Sequence, residues 1–402
     1  MEFGPILRAM WRNKLGVLLV TLQVAFTMTI IVNAVFIINE RSRLMVRPSG
    51  LDEANLFYLQ NIGFSADYNE SAVVREDLDF LRRYPGIVNA TVTNAIPVSG
   101  SGSSSALSLE PDDTAPGTFA AYYEVDEQAL DTMGLELIAG ENFSAAEITE
   151  RGVGEFFNPS RGIVSLALAE TLFPQDPHAA LGQTVYRNNS PLQITGIVRR
   201  LQAPWPDTSF VEQSILLPMN SLNTFAMYLV RTEPGQRDRL MVEIEEALAT
   251  SRTDRIIREV MSLEETRRQT YMVDSAMSTV LFAVIVILIF ITSMGIVGLT
   301  VFGINRRRKQ IGTRRALGAT RTAVVRYFLL ENFLITGVGV ILGALLTISF
   351  NIFLVQSFDM PRIDWYYTPL GMLALLLAGQ LAVLGPSGNA ARIPPAIATR
   401  SV

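Results

Sequence analysis

Four apolar runs, unevenly placed, set what this chain can fold into: residues 15–38, 280–304, 328–355 and 370–384. A helix crosses a bilayer when about 20 consecutive residues are mostly apolar, because every backbone polar group in the hydrocarbon must be satisfied within its own segment. The first three runs exceed that length. The fourth is marginal and extends back to Tyr366, since Trp365, Tyr366 and Tyr367 make an aromatic cluster of the kind found at a membrane surface. The expected fold is therefore four transmembrane α-helices with a large α+β extracytoplasmic domain between the first and second spans.

The boundaries read as an N-terminal segment 1–14, first span 15–38, outer domain 39–275 and second span 276–304. A loop 305–327, third span 328–355, short outer loop 356–365, fourth span 366–386 and tail 387–402 follow. Basic residues orient this array. Arg8, Arg12 and Lys14 precede the first span, Arg392 and Arg400 lie in the tail, and the loop from Asn305 to Tyr327 carries eight basic residues and no acid. By the positive-inside rule both termini and this loop lie in the cytoplasm, and the large domain lies outside. Arg41, Arg43 and Arg47 on the outer flank weigh weakly against that. The first run is too long for a cleavable signal peptide, and no small-residue cleavage site follows it.

The outer domain reads as mixed strand and helix in one or two lobes. Alternation and β-branched content predict strands at 54–64, 87–96, 119–125, 161–165, 214–217 and 228–231, with a hairpin of 183–186 and 192–198. Helical spacing predicts 70–84, 127–133, 166–173 and 234–250. The Ser/Gly stretch 99–105 predicts a flexible loop. Asp52, Glu53, Asp112, Asp113, Glu124, Asp126, Glu127 and Glu147 make this region acidic, and no basic stripe with interleaved aromatics points to nucleic acid.

Several chemistries are excluded by residue type. The chain has no cysteine, hence no disulfide. Its one histidine, His178, sits in a Pro-flanked turn with no second nitrogen or sulfur ligand, and no nucleophile-elbow sequence accompanies it, so neither a metal site nor a hydrolase triad is expected. A phosphate-binding loop needs a lysine after glycine, yet Lys14 follows Asn13 and Lys309 follows Arg308. Any ATPase that drives this protein is expected on another chain.

Within the spans, Gly295 and Gly298, and Gly339 and Gly343 at four-residue spacing, permit close helix approach, either between two subunits or within one. Glu331 at the start of the third span is a candidate membrane-interface acid. It reads as a relay, a partner of the basic loop such as Arg326, or a side chain reaching to the headgroups. The first 14 residues read as an interfacial helix or as a plain basic flank.

The loop sequence from Arg306 to Ala344, RRRKQIGTRRALGATRTAVVRYFLLENFLITGVGVILGA, resembles the coupling loop and third span of FtsX-like permeases of the MacB type. Two outer stretches, YEVDEQALDTMGLELIAGENF from Tyr123 and the ordered set GIVSLALAETLF, LGQTV, LQITGIV and SILLP from Gly162, are similar to that family's periplasmic core, and NAARIPPAIA from Asn389 fits its end. The resemblance implies an ABC transporter permease in the bacterial inner membrane, not itself an enzyme. A separate ABC ATPase dimer would bind the ATP and Mg, while this chain binds no cofactor directly. It further implies a second permease copy or a paralogue, a periplasmic adaptor, an outer-membrane channel and export of a small molecule or peptide. The segment Ile311, Gly312, Arg314, Arg315, Ala316, Leu317, Gly318 and Ala319 would be the ATPase-coupling element, with Arg314, Arg315 and Leu317 at the contact. Related permeases release lipoproteins (the LolC and LolE kind) or scaffold cell-wall hydrolases (FtsX), and these are the alternative functions. The chain departs from the pattern in its polar first-span residues Gln23, Thr27, Thr29 and Asn33, and at Gly385-Pro386-Ser387-Gly388, where a basic doublet is often found.

Overall fold

The computed structural model describes residues 3–112, 116–152, 158–221, 224–358 and 361–393. It divides into two compact units, one formed by Met1–Arg43 with Asp274–Val402, the other by Leu44–Val273.

In chain order the elements are α1 (Phe3–Arg12), α2 (Lys14–Met45), β1 (Leu56–Gly63), α3 (Glu70–Arg83), β2 (Ile87–Thr93), β3 (Ser103–Ser108), β4 (Thr118–Val125), α4 (Ala129–Met133), β5 (Leu137–Gly140), β6 (Thr149–Arg151), β7 (Arg161–Ser165) and α5 (Leu166–Leu172). There follow β8 (Thr184–Arg187), β9 (Ser190–Val198), β10 (Ser214–Ser221), β11 (Phe225–Thr232), α6 (Arg237–Ser251), β12 (Arg255–Ser262), α7 (Leu263–Thr270), α8 (Met272–Arg306), α9 (Arg308–Ala316), α10 (Arg321–Phe358) and α11 (Tyr367–Ala390).

The unit Leu44–Val273 is built on one continuous run of strands, ordered β12-β1-β11-β2-β4-β3-β8-β9-β7-β10-β6. At one end β12, β1, β11 and β2 are antiparallel, and α3 and α6 cover one face. Phe57 and Leu59 of β1 point to that helical face while Leu56 and Tyr58 point to a second core, so both faces of β1 are buried. Helix α3 starts where the Asn69 side chain accepts from the Ala72 amide at 3.0 Å, and it turns Val74, Leu78 and Leu81 inward. Pro85 holds the capping Tyr84 extended and so stops the helix, and Gly86, at φ 89°, turns the chain. Between β2 and β4 the ladder narrows to the single pair Thr93–Val125. Beyond it, β7 runs parallel to β9, with α5 packed over a third core of Val164, Leu168, Ile194, Ile197 and Ile215.

The predicted hairpin is present, turned by Asn188 and Asn189 at φ 48° and 61°, the double left-handed geometry of a two-residue turn. The predicted loop at 99–105 is corrected: Ser103–Ser105 belong to β3 and pair with Tyr122, Ala121 and Ala120 of β4. Backbone pairing to a neighbour overrides the weak strand preference of serine.

The other unit is a bundle of α2, α8, α10 and α11, all long and apolar enough to cross a membrane. Helix α2 is its centre, with 44% of its most apolar stretch buried against 17% for α8 and for α11. The fourth span, expected at 366–386, is a helix that continues through Pro386 to Ala390. Arg41, which counted against the inside-out reading, pairs with Asp274 at 2.7 Å across the α2 and α8 ends.

Candidate functional site

Helix α8 ends at Arg306, and Arg307 turns the chain, donating its amide to the Gly303 and Ile304 carbonyls while its own carbonyl accepts from the Ile311 amide. Helix α9 then runs for nine residues. Its end is a Schellman cap: Gly318 sits at φ 95° and donates to Arg315, and Ala319 donates to Arg314. The Ala-Leu-Gly-Ala sequence is thus a helix stop. Thr320 accepts from the Ala323 amide at 3.2 Å and starts α10 at once.

This geometry sorts the predicted coupling residues. Ile311 and Gly312 are buried, Ile311 in the cluster that also holds Val324, Phe328, Val383 and Ala391. Arg314 is exposed and lays its guanidinium 5.6 Å from the centre of the Tyr327 ring. Arg315 is half-buried and donates from Nη1 to the Ala391 carbonyl at 2.5 Å, so its side chain is engaged within the bundle. Ala316, Leu317 and Gly318 are exposed, Leu317 at 83%, and Ala319 is half-buried. A cleft of about 240 Å³ opens between α9 and the start of α10, lined by Gln310, Arg314, Ala319, Ala323 and Tyr327 among others.

Glu331 pairs with Arg307, not with the suggested Arg326: the two carboxylate oxygens lie 2.8 and 3.0 Å from the two guanidinium nitrogens. The Tyr327 hydroxyl, one helical turn before Glu331, is 3.2 Å from Arg307 Nη1. Both charges are largely shielded, at 20% and 15% side-chain exposure. Arg307, Tyr327 and the Ala391 carbonyl were not singled out by the sequence. Tyr327 and Glu331 do share a helix face by their spacing, but nothing in a run of eight basic residues marks Arg307.

Of the four glycines, three are covered by α2. A methyl carbon added at Gly339 would lie 2.8 Å from Val24 Cβ, one at Gly343 2.8 Å from Met28 Cβ, and one at Gly295 2.4 Å from the Gln23 amide oxygen. Gly298 meets nothing within 4 Å. In α1, Ile6 is buried and Trp11 is 69% exposed, with Lys14 Nζ 4.7 Å above its ring. His178 lies in a short turn whose start is capped by Asp176, which accepts from the His178 amide. Among the described residues no cluster of His, Asp and Glu has the makings of a metal site.

Four apolar helices, three of them packed around the first, with an α+β unit inserted between the first and second, define a multi-pass membrane protein of permease architecture. Residues 15–260 match the family described as MacB-like periplasmic core domain, and residues 282–395 that described as FtsX-like permease C-terminal. The chain belongs to this family of MacB-like and FtsX-like permeases, inner-membrane proteins with a periplasmic domain. Its relatives include the ABC transporter permease YknZ of Bacillus subtilis (25% identical, covering 60% of this chain and 61% of that one). The macrolide export ATP-binding/permease protein MacB of Escherichia coli K12 is 22% identical, over 98% of this chain and 60% of that one. The chain thus spans less than two thirds of the length of these relatives. Among solved structures, the periplasmic region of MacB from Actinobacillus actinomycetemcomitans aligns with 56% of this chain and 97% of its own, at 14% identity and a TM-score of 0.35.

Proposed function

We propose that this protein is the membrane subunit of an ATP-driven ABC transporter of the mechanotransmission kind, exporting a small molecule or peptide. A separate ABC ATPase dimer, which carries the ATP and Mg, docks on α9 from the cytoplasm. A second copy of the permease or a paralogue completes the membrane part, and a periplasmic adaptor leads to an outer-membrane duct. Movement of α9 passes along the chain's two connections, α2 and α8, to the periplasmic unit. Both termini are cytoplasmic in this reading, which the basic loop and flanks support.

The observation that carries the reading is the short helix itself. Leu317 is 83% exposed at the C-terminal tip of α9, a helix whose Arg308, Lys309 and Arg314 are also exposed. An apolar side chain held out among cations beyond the end of a span suits insertion into a groove of a soluble partner, where a central apolar anchor contributes most of the binding energy. The two lysines of this sequence stand outside any phosphate loop, so this reading places the nucleotide on the ATPase and not on residues 1–402.

Affinity purification of the tagged protein from native membranes in mild detergent, with mass spectrometry, tests this. An ABC ATPase is expected with the unaltered chain, and Leu317→Asp should lower its recovery by about tenfold or more, the loss typical of an interface anchor. Absence of an ATPase, or equal recovery with the variant, would overturn the assignment. Co-purifying cell-wall hydrolases would support a scaffold instead, and a lipoprotein carrier would support lipoprotein release.

A further inference from the structure

Two arginines of the basic loop face inward, and each ties one end of α9 to a different span. At the start, Arg307 holds Glu331 of α10 through two parallel bonds of 2.8 and 3.0 Å, steadied by the Tyr327 hydroxyl. At the end, Arg315 caps the last turn of α11 by donating to the Ala391 carbonyl, and Ala391 itself is 2% exposed. A helix C-terminus leaves its last carbonyls without intrahelical partners and carries partial negative charge, so a guanidinium there is doubly favoured. Between the two ties, Ile311 is packed at 7% exposure among residues of α10 and α11.

A nine-residue helix held only by its ends of chain would pivot on the turn at Arg307 and on Gly318. One held by a bidentate ion pair, a buried isoleucine and a charge-assisted bond moves with what holds it. We infer that Arg307, Glu331 and Arg315 are positioning residues that fix α9 rigidly to the third and fourth spans, so that a push on α9 is delivered to α10 and α11 and, through the core they share, to α2 and α8. This rests on the reading of α9 as the ATPase docking element, and it reassigns Arg315: its side chain serves the lever and not the partner. Leu317 and Arg315, two residues apart, then have opposite phenotypes. Changing Leu317 weakens the partner, while changing Arg315 leaves the partner bound and loosens the helix.

The chain has no cysteine of its own, so spin labels can be placed freely. One goes at Thr313 on the exposed side of α9 and one at Leu384, which is 46% exposed on α11. Their distance distribution is measured in the purified complex with and without ATP, beside ATPase recovery on the tag. In the unaltered chain the distribution is expected to be single and narrow in both states. Arg315→Ala should broaden it and keep ATPase recovery within about twofold, while Arg315→Lys, which retains a cationic donor, should narrow it again. Glu331→Gln should broaden it from the other end, and the exchange Arg307→Glu with Glu331→Arg should restore it. A narrow distribution in both Arg315→Ala and Glu331→Gln overturns the inference, as does loss of the ATPase with Arg315→Ala to the degree seen for Leu317→Asp. If the unaltered chain brings down no ATPase, the docking role fails separately, and the distances without nucleotide still decide whether the two ties hold the helix.

Discussion

Arg255 and Asp77 make the most deeply buried ion pair of the periplasmic unit, at 1% and 5% side-chain exposure and 2.5 Å apart. Arg255 also donates twice to the Leu248 carbonyl and once to Ser251 Oγ, closing the end of α6, while Asp77 accepts from the Tyr228 hydroxyl at 2.9 Å. The pair thereby joins β12, α6, α3 and β11. Burial raises the Asp77 pKa above its ordinary value even with a guanidinium beside it. Loss of water therefore outweighs attraction for this carboxylate, and the linkage sign follows: its contribution to stability is whole below the ordinary value and declines as pH rises through the raised one. Arg255→Met strands a buried carboxylate and should destabilise by about 3–5 kcal/mol, whereas Arg255→Met with Asp77→Leu should be close to neutral. For a unit of this size about 3–5 kcal/mol corresponds to a melting-temperature drop of about 6–20 °C. The assay is thermal unfolding of the purified full chain in detergent, read by Trp205, the only tryptophan of this unit, with Trp11 and Trp365 replaced by Phe in every sample. A single variant that melts within about 2 °C of the parent, or a double variant no better than the single, would refute the reasoning.

The glycines of α10 give a paired test. Gly343→Leu forces a Cβ to 2.8 Å from Met28 Cβ and 3.0 Å from the Ala25 carbonyl oxygen, and should destabilise by about 1–3 kcal/mol, whereas Gly298→Leu enters open space and should leave the melting temperature in detergent unchanged. Thr27→Val removes a 2.7 Å bond to Thr292 between α2 and α8; membrane hydrogen bonds average about 0.6 kcal/mol, so a loss several times larger in the same melting assay would contradict that account. Glu147 is held at about 2 by the Ser144 amide first, then by Arg161 and the Ser144 hydroxyl. A lowered carboxyl stabilises above its ordinary value and loses that stabilisation as pH falls, so Glu147→Gln should melt below the parent near neutral pH and converge with it toward pH 2. A gap that stays constant across that range would count against the ionised carboxylate, held first by the Ser144 amide, as its source.

How far the sequence carried depended on whether a segment's structure is local. The spans, α3 with its Asn69 cap and Pro85 stop, and the Asn188–Asn189 hairpin all follow from residues within one or two turns of themselves. Strand β12 escaped because it lies at the edge of the sheet and reads RIIREVMS, with Arg258 and Glu259 facing water and a register shift opposite β1. An edge strand managed with charge loses the alternation that reveals it. Strands β5 and β6, at four and three residues, are too short for any period to register. At the candidate site the Schellman stop in Ala-Leu-Gly-Ala is local and legible, and Glu331 could be marked as an acid needing a partner. Which of eight basic residues it takes is fixed by α10 folding back beside the turn at Arg307, a contact 24 residues apart in sequence. The same limit hid Gly379, whose place against Thr336 lets Asn332 reach its carbonyl at 2.9 Å.

The polar first span is the instructive departure from the family pattern. Read along the chain, Gln23, Thr27, Thr29 and Asn33 only stand out as unusual for a span. Each meets a bond within the bundle. Gln23 donates to the Ile291 carbonyl, Thr27 meets Thr292, Thr29 reaches Ala25 and Gly343, and Asn33 donates to the Thr29 carbonyl. The reason is position: α2 is the most enclosed of the four spans, and a polar side chain is tolerated at membrane depth only where protein covers it. Gln23 and Gly295 show the same fit, because a Cβ on α8 would come within 2.4 Å of the amide oxygen and push the amide off its bond to the Ile291 carbonyl. A bulky residue at Gly295 and a shortened one at position 23 should therefore compensate each other. Gly295→Leu alone should lower the melting temperature, and adding Gln23→Ala should recover most of the loss. Two simply additive losses would mean that the polar residues of α2 are not there for packing.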